Sequence, residues 1–338
     1  MEVCSNCFAD KELKGFILSS TNIGNCNVCD SSNVALIDIT ELLDFFQELI
    51  GNFRTTDKGE SLKLKIQKNW NFFASQSLAA KILDYLLPKL STDISSSDDI
   101  VDYNEDIIDN FSHWEVLKND LKWTRRFLSD IGYLEDLGWD GFFNTQYELK
   151  PSDELFRARV HHQSGILAYK ADEMMSPPSH LVGGGRANPL GIPYLYLSDN
   201  SQTVLYEVRA TYLDELSIGT FYLKDKYVSV KIVDFTEDTP LFQPTKINET
   251  IKARILRDRI SSDLSKPMRR YDSEIEYIPT QFICEFINVF TGASGIRFSS
   301  SVHPRGKNVV IFDQNMMVCK EVILKKVNRL NLNAIEIK

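Results

Sequence analysis

Two cysteine pairs near the amino terminus, Cys4-x-x-Cys7 and Cys26-x-x-Cys29, are separated by 18 residues. Two thiolates three positions apart can grip one tetrahedral ion from a tight turn, and a second such pair completes a closed shell of four sulfurs. The spacing therefore predicts a structural zinc held by Cys4, Cys7, Cys26 and Cys29. With all four positions filled, no open site is left for metal catalysis. Gly24, just before the second pair, supplies turn freedom. The competing readings are two disulfides, which suit a secreted chain, and a redox CxxC, which suits a thioredoxin-like context. The sequence carries neither signal. Cys284 and Cys319 stand alone in apolar surroundings and read as small core residues.

A second set of polar residues interrupts apolar, strand-like or helical stretches. Arg157 lies in LFRARV (155–160), Arg186 in GGGRANPLGIPYLYLSD (183–199), Glu207 in TVLYEVRA (203–210) and Ser300 in GIRFSSSVHP (295–304). Tyr196 falls within YLYLS, and a GKNVVIF strand closes the series. In this order the pieces resemble the RES domain, named for its Arg, Glu and Ser, over residues 149–338. Ser299, Ser300 and Ser301 are adjacent, and the resemblance favours Ser300. It implies an α+β fold like the ADP-ribosyltransferase fold of diphtheria-like toxins, with NAD as substrate. Many RES domains are the toxin half of bacterial toxin–antitoxin pairs that degrade NAD, some by phosphorolysis. The partners implied are thus NAD, phosphate as a second substrate, and an antitoxin or immunity protein; a homo-oligomer stays open.

The residue types suit that chemistry. Cleaving the nicotinamide–ribose bond develops positive charge on the sugar, which a carboxylate stabilises, and Glu207 fits the role. A guanidinium donates two parallel hydrogen bonds to phosphate oxygens and stays charged, so Arg157 and Arg186 are assigned to the pyrophosphate. Tyr196 offers a ring for packing and a hydroxyl donor. Ser300 can bond the carboxamide or a ribose oxygen. The catalytic set is Glu207, Arg186 and Ser300; the binding set is Arg157, Arg186, Tyr196 and Ser300. Arg159 shares a strand face with Arg157, which permits a second anion site unless one arginine pairs with a neighbour such as Glu154.

Each residue taken singly has a plain structural explanation, as surface charge, core aromatic or turn cap. The order of the whole set carries the functional reading. Gly183, Gly184 and Gly185 lack the Gly-Lys-Ser/Thr ending of a nucleotide triphosphatase. His161 and His162 read as pocket rim or surface, and His303 as surface.

The elements that must position these residues follow from periodicity. Residues 1–35 form the zinc-binding unit, 36–148 a helical domain and 149–338 the RES-like domain. Residues 38–88 read as helical: Asp38 or Thr40 caps ELLDFFQELI, with Gly51 as its stop, a second helix covers 62–74, and Pro88 ends or kinks the third. The acidic, serine-rich stretch 91–106 reads as an exposed loop. A helix over 112–131 carries Trp114, Leu117, Leu121, Trp123 and Phe127 as core residues. This middle region is similar in order and helical texture to the domain ahead of some RES domains that is related to HEPN proteins. HEPN ribonucleases use an Arg followed closely by His; no such pair occurs between 36 and 145, so a scaffold, dimerisation or sensing role fits better. From 151 onward, strands are predicted at 193–198, 217–223, 227–235, 294–299 and 308–313, and helices near 248–264 and 279–291. Asp199 to Ser201 are expected to cap a helix through TVLYEVRA. Scattered strands without a βαβ rhythm point to α+β.

Composition narrows the partners. The chain has 338 residues, 43% hydrophobic and 25% charged, with 47 acidic against 38 basic side chains and a net charge of −9. That field disfavours nucleic acid. The basic pairs Arg125-Arg126, Arg269-Arg270 and Lys325-Lys326 are too short to track phosphates and read as solvated surface. No apolar run is long enough to cross a bilayer, and the start lacks a secretory signal, so the expected location is cytoplasmic. An NAD glycohydrolase or phosphorylase is the leading expectation, with a protein ADP-ribosyltransferase and a nucleotide-sensing binding module as the alternatives.

Overall fold

In the computed structural model, which describes residues 1–128, 130–143, 146–237, 239–243, 246–267, 274–303 and 305–329, the chain divides into two units. One is Met1–Val116 with Asp238–Leu256; the other is Leu117–Glu237 with Arg257–Lys338.

The first unit opens with a small antiparallel sheet of β1 (Glu2–Cys4), β2 (Ile23–Gly24) and β3 (Val34–Asp38), with α1 (Lys11–Leu18) between the first two. Asp10 caps α1 through Oδ1, which accepts the N–H groups of Glu12 and Leu13. Its Oδ2 takes those of Leu241 and Phe242, so one buried carboxylate ties two distant stretches of this unit together. Asp38 and Glu41 form a reciprocal capping box, the expected start signal. A 3-10 turn then leads into α2 (Leu43–Ile50), which ends at Gly51. Phe8, Phe45, Phe46, Phe72 and Phe73 are buried in one core with Cys4, Cys7 and Cys26. The cysteine-bearing turns and the helices behind them therefore share packing.

Residues 38–88 are not helical throughout. Phe53–Ser61 forms β4, paired antiparallel with β5 (Ile100–Tyr103). The β-branched Thr55 and Thr56 favour the extended state, and Val101 and Tyr103 alternate inward from a stretch read as loop. The second helix, α3 (Leu62–Trp70), stops early because Asn71 turns left-handed (φ 48°). The third, α4 (Gln76–Leu86), passes into a 3-10 turn at Pro88, as expected. The next helix, α5, runs over Glu105–Trp123 rather than 112–131, because Asn104 Oδ1 receives the Ile107 N–H. Trp114, Leu117 and Leu121 are buried, whereas Trp123 and Phe127 are 68% and 91% exposed, against the core expectation.

In the second unit two short helices, α6 (Ile131–Asp136) and α7 (Trp139–Phe142), precede the strands β6 (Gln146–Leu149), β7 (Leu155–Val160) and β8 (Leu195–Ser198). Then come α8 (Thr203–Glu207), β9 (Glu215–Leu223), β10 (Val230–Asp234), α9 (Ile247–Ser265), α10 (Ile278–Phe290), β11 (Gly295–Ser299), β12 (Lys307–Ile311) and β13 (Met317–Lys326); the unit boundary falls within α9, as it does within α5. The eight strands form one mixed sheet in the order β13-β9-β7-β8-β12-β11-β10-β6. Only β10 and β11 run parallel among these pairs. A mostly antiparallel sheet accompanied by helices is an α+β arrangement. The strands and helices expected after residue 151 are present with boundaries shifted by a few residues.

One capping expectation fails. Asp199 accepts the Lys307 N–H and pairs with Arg297 instead of capping α8; within the expected stretch Asn200 Oδ1 accepts the Gln202 N–H just ahead of the helix, while the first turn itself carries no side-chain cap. Cys284 and Cys319 are buried, as expected. Arg125, Arg126, Lys325 and Lys326 are exposed, while Arg269 and Arg270 lie outside the described residues. Among the described residues no helix is long and apolar enough to cross a membrane.

Candidate functional site

The four amino-terminal cysteines converge. Their sulfurs all lie within 4.8 Å of one another. The close contacts cross between the pairs, Cys4 to Cys29 at 3.4 Å and Cys7 to Cys26 at 3.5 Å. A disulfide would need about 2 Å, so these are free thiols. A tetrahedron with metal–sulfur bonds of about 2.3 Å has sulfur edges near 3.8 Å, close to the separations found. Burial pushes the Cys4 thiol up to about 11. Three of the four residues are buried, and four sulfurs would fill the positions of a tetrahedral ion. The donor set fits a closed structural metal.

The second site lies in the sheet-bearing unit, where β7 and β8 are registered at a single pair, Phe156 with Ser198. Beside this sparse junction is a cavity of about 380 Å³. Arg157 and Ala158 of β7 line it, with Tyr196, Leu197 and Ser198 of β8, Glu207 of α8, Leu264 and Ser265 at the end of α9, Phe298 of β11 and Asn308 of β12. Arg186 enters from the glycine-rich loop. Four of the five predicted pocket residues thus meet around one space, drawn from positions far apart in the chain.

Arg157 is the electrostatic centre. Its Nη1 is buried and has no hydrogen-bond partner. Burial, reinforced by the like charge of Arg159, pushes its guanidinium down to about 10, which still leaves it charged at neutral pH. A buried cation without a counter-charge is unfavourable until an anion arrives. Arg159 is directed elsewhere: it donates to the Glu173 carbonyl and lies over the Tyr169 ring at 5.6 Å. Glu154 accepts from Tyr222 instead. Arg186 is anchored by Nη1 to the Leu264 carbonyl at 2.8 Å, and burial lowers its pKa.

The loop that presents Arg186 is held by groups the sequence reading did not single out. Asn188, 3% exposed, donates through Nδ2 to the carbonyls of Gly183, Pro189 and Ile192. Thr280 donates to the Arg186 carbonyl and Gln281 to that of Gly185. Tyr196 lines the cavity with its ring, but its hydroxyl donates to Asn188 Oδ1 at 2.8 Å and accepts the Ala187 N–H at 2.9 Å. Burial raises that hydroxyl further above its usual range. It is a fastener of the loop.

Glu207, exposed at the last position of α8, receives two hydrogen bonds on the same oxygen. Ser300 Oγ and Asn308 Nδ2 each donate to Oε1 at 2.7 Å. Ser300 Oγ also accepts the N–H groups of Val302 and His303. Its proton therefore serves Glu207. Of the neighbouring serines, Ser301 lines the cavity and the Ser299 carbonyl accepts from Ser265. His303 bonds Thr203 through Nδ1 and stacks on Tyr206. His161, read as rim or surface, is instead buried, with Nε2 at 2.8 Å from Ser217 Oγ; His162 is exposed. Asn308 carried no signal of the kind that marked Arg157: it follows Arg305, Gly306 and Lys307 at the polar edge of KNVVI and interrupts no apolar run.

Compared with known families, the chain matches the RES domain over residues 154–332. No curated protein and no solved structure matches it. The matched span contains every cavity-lining residue named above.

Proposed function

We propose, on the premise that the chain belongs to the RES domain family, that it breaks the bond between nicotinamide and ribose in NAD. The observation that carries this reading is the convergence of Arg157, Arg186 and Glu207 on one cavity, with a buried guanidinium nitrogen of Arg157 left without a partner. Such a nitrogen calls for an anion, and NAD brings a pyrophosphate. A cavity of about 380 Å³ falls within the usual range for small-molecule sites, about 300 to 1,000 Å³.

In this reading Arg157 and Arg186 hold the pyrophosphate by charge-assisted hydrogen bonds. The bond from the ribose carbon to the pyridinium nitrogen then breaks with its electron pair going to the nitrogen. Nicotinamide leaves neutral, and positive charge develops on the sugar opposite Glu207. Ser300 keeps the carboxylate in place. Water then adds to the ribose carbon and releases a proton, giving ADP-ribose; phosphate in its place gives the 1-phosphate. Asn188 and the Tyr196 hydroxyl fix the loop that bears Arg186.

The same reading makes the protein a toxin or defence effector restrained by an antitoxin or immunity protein, and it takes the four cysteines as a structural zinc site. The deciding experiment incubates the protein with NAD, with and without phosphate, and identifies the products. Free nicotinamide with ADP-ribose or its 1-phosphate supports cleavage. Label transferred to protein points to ADP-ribosylation, and binding without product points to a nucleotide sensor.

A further inference from the structure

Glu207 has two carboxylate oxygens, and the fold treats them differently. Oε1 takes both hydrogen bonds, from Ser300 and from Asn308, each at 2.7 Å. Oε2 has no hydrogen-bond partner among the described residues. We infer that Asn308 is a positioning residue: by donating to Oε1 it fixes the rotation of the carboxylate and keeps Oε2 as the oxygen that meets the ribose. The inference rests on the proposed role of Glu207.

Asn308 is well placed to act as a fixed point. It sits in β12, where its backbone is registered with Phe298 of β11 on one side and Ser198 of β8 on the other. A residue held between two strands cannot drift as a loop residue can. Ser300, by contrast, lies just past the end of β11 in a short turn closed by its own N–H on the Gly306 carbonyl. That turn tolerates no side chain at Gly306, where a Cβ would collide with Thr203 and come within 2.9 Å of His303 Nδ1. The carboxylate is thus gripped from both sides, by a strand and by a braced turn.

An amide is the right donor there. A carboxamide offers an N–H without net charge, so it orients Glu207 without changing the charge of the pocket. The acid of the same shape would do the opposite. In Asn308→Asp the amide donor is lost and a second carboxylate faces Oε1, so Glu207 is pushed out of its fixed rotation. Asn308→Ala removes the donor without adding charge and should cost less turnover.

The test compares wild type, Asn308→Asp and Asn308→Ala in NAD turnover, with circular dichroism as the folding control. The expected result for Asn308→Asp is a kcat lower by about 10- to 100-fold near neutral pH, of the size seen when residues that orient a metal ligand are removed. Its KM for NAD should stay near the wild-type value. A folded Asn308→Asp protein with wild-type kcat would overturn the inference. Independently of turnover, the Asn308 side-chain amide is followed by nitrogen-15 NMR in wild type and Glu207→Ala, with Asn308→Ala to assign the signal. A displaced amide signal in Glu207→Ala supports the contact; an unmoved one rejects it. If wild type leaves NAD intact, the proposed reaction fails while the amide signal still judges the contact.

Discussion

The Tyr196 hydroxyl and the Asn188 side chain are joined at 2.8 Å, and this pair fastens the loop that carries Arg186. The loop has little slack. A Cβ at Gly185 would lie 2.5 Å from Asn188 Oδ1 and 2.7 Å from the Tyr196 oxygen. Tyr196→Phe keeps the ring but leaves the Ala187 N–H and the Asn188 oxygen unpaired, a loss of about 1–3 kcal/mol per buried group. The expected outcome is a lower melting temperature and a higher KM for NAD, with kcat less affected. An unchanged KM would mean the loop holds Arg186 without the tyrosine.

Arg157 and stability should pull in opposite directions. Its buried, unpartnered Nη1 disfavours the free protein but suits an anionic ligand. Arg157→Met, similar in length and uncharged, is expected to melt at or above the wild-type temperature while losing NAD affinity. Calorimetry and a binding titration check the two halves separately. A variant that is less stable and binds normally would show that the guanidinium serves packing alone.

Glu207→Gln separates binding from bond breaking. Glutamine keeps an oxygen that can accept from Ser300 and Asn308, so the geometry at Oε1 survives. The negative charge does not. Turnover should fall by roughly 100-fold or more, the scale of losing a preorganised electrostatic group, with NAD binding largely retained. Single-turnover kinetics beside a binding isotherm would reveal near-normal chemistry if the assignment were wrong.

Much of this site was legible as polar interruptions of apolar stretches. Arg157 and Glu207 show that signature and stood out because the order of pieces resembled a known family, whereas Asn308 follows a run of polar residues and gave no such signal. What each group does with its hydrogen bonds was not legible. Tyr196 in YLYLS reads as a donor to a ligand, and only the return of the Asn188 side chain toward it reveals the fastener. Arg159 shares alternation with Arg157, yet the carbonyl of Glu173 claims it. Among the elements, β4 escaped because it is polar along most of its length and β5 because it is only four residues long, and each gains its stability from pairing across residues 62–99. Periodicity within a window does not see such a partner.

The cysteine cluster gives the last prediction, which concerns folding rather than the pocket. Cys4, Cys7 and Cys26 are members of the same core as Phe8, Phe46 and Phe73, so an ion held by their sulfurs would brace that packing directly. With four thiolates at these separations the purified protein should carry about one zinc per chain. Because the ion binds the folded state and its ligands are not arranged in the unfolded chain, its removal should lower stability. Cys7→Ser, or a strong chelator, is expected to lower the melting temperature and disorder the first unit, measured by circular dichroism and proteolysis. The NAD-binding affinity of surviving folded protein should change little, since every cavity-lining residue belongs to the other unit. Metal analysis that finds no zinc in a fully folded preparation would remove the ion from the account and leave the cysteines as buried thiols.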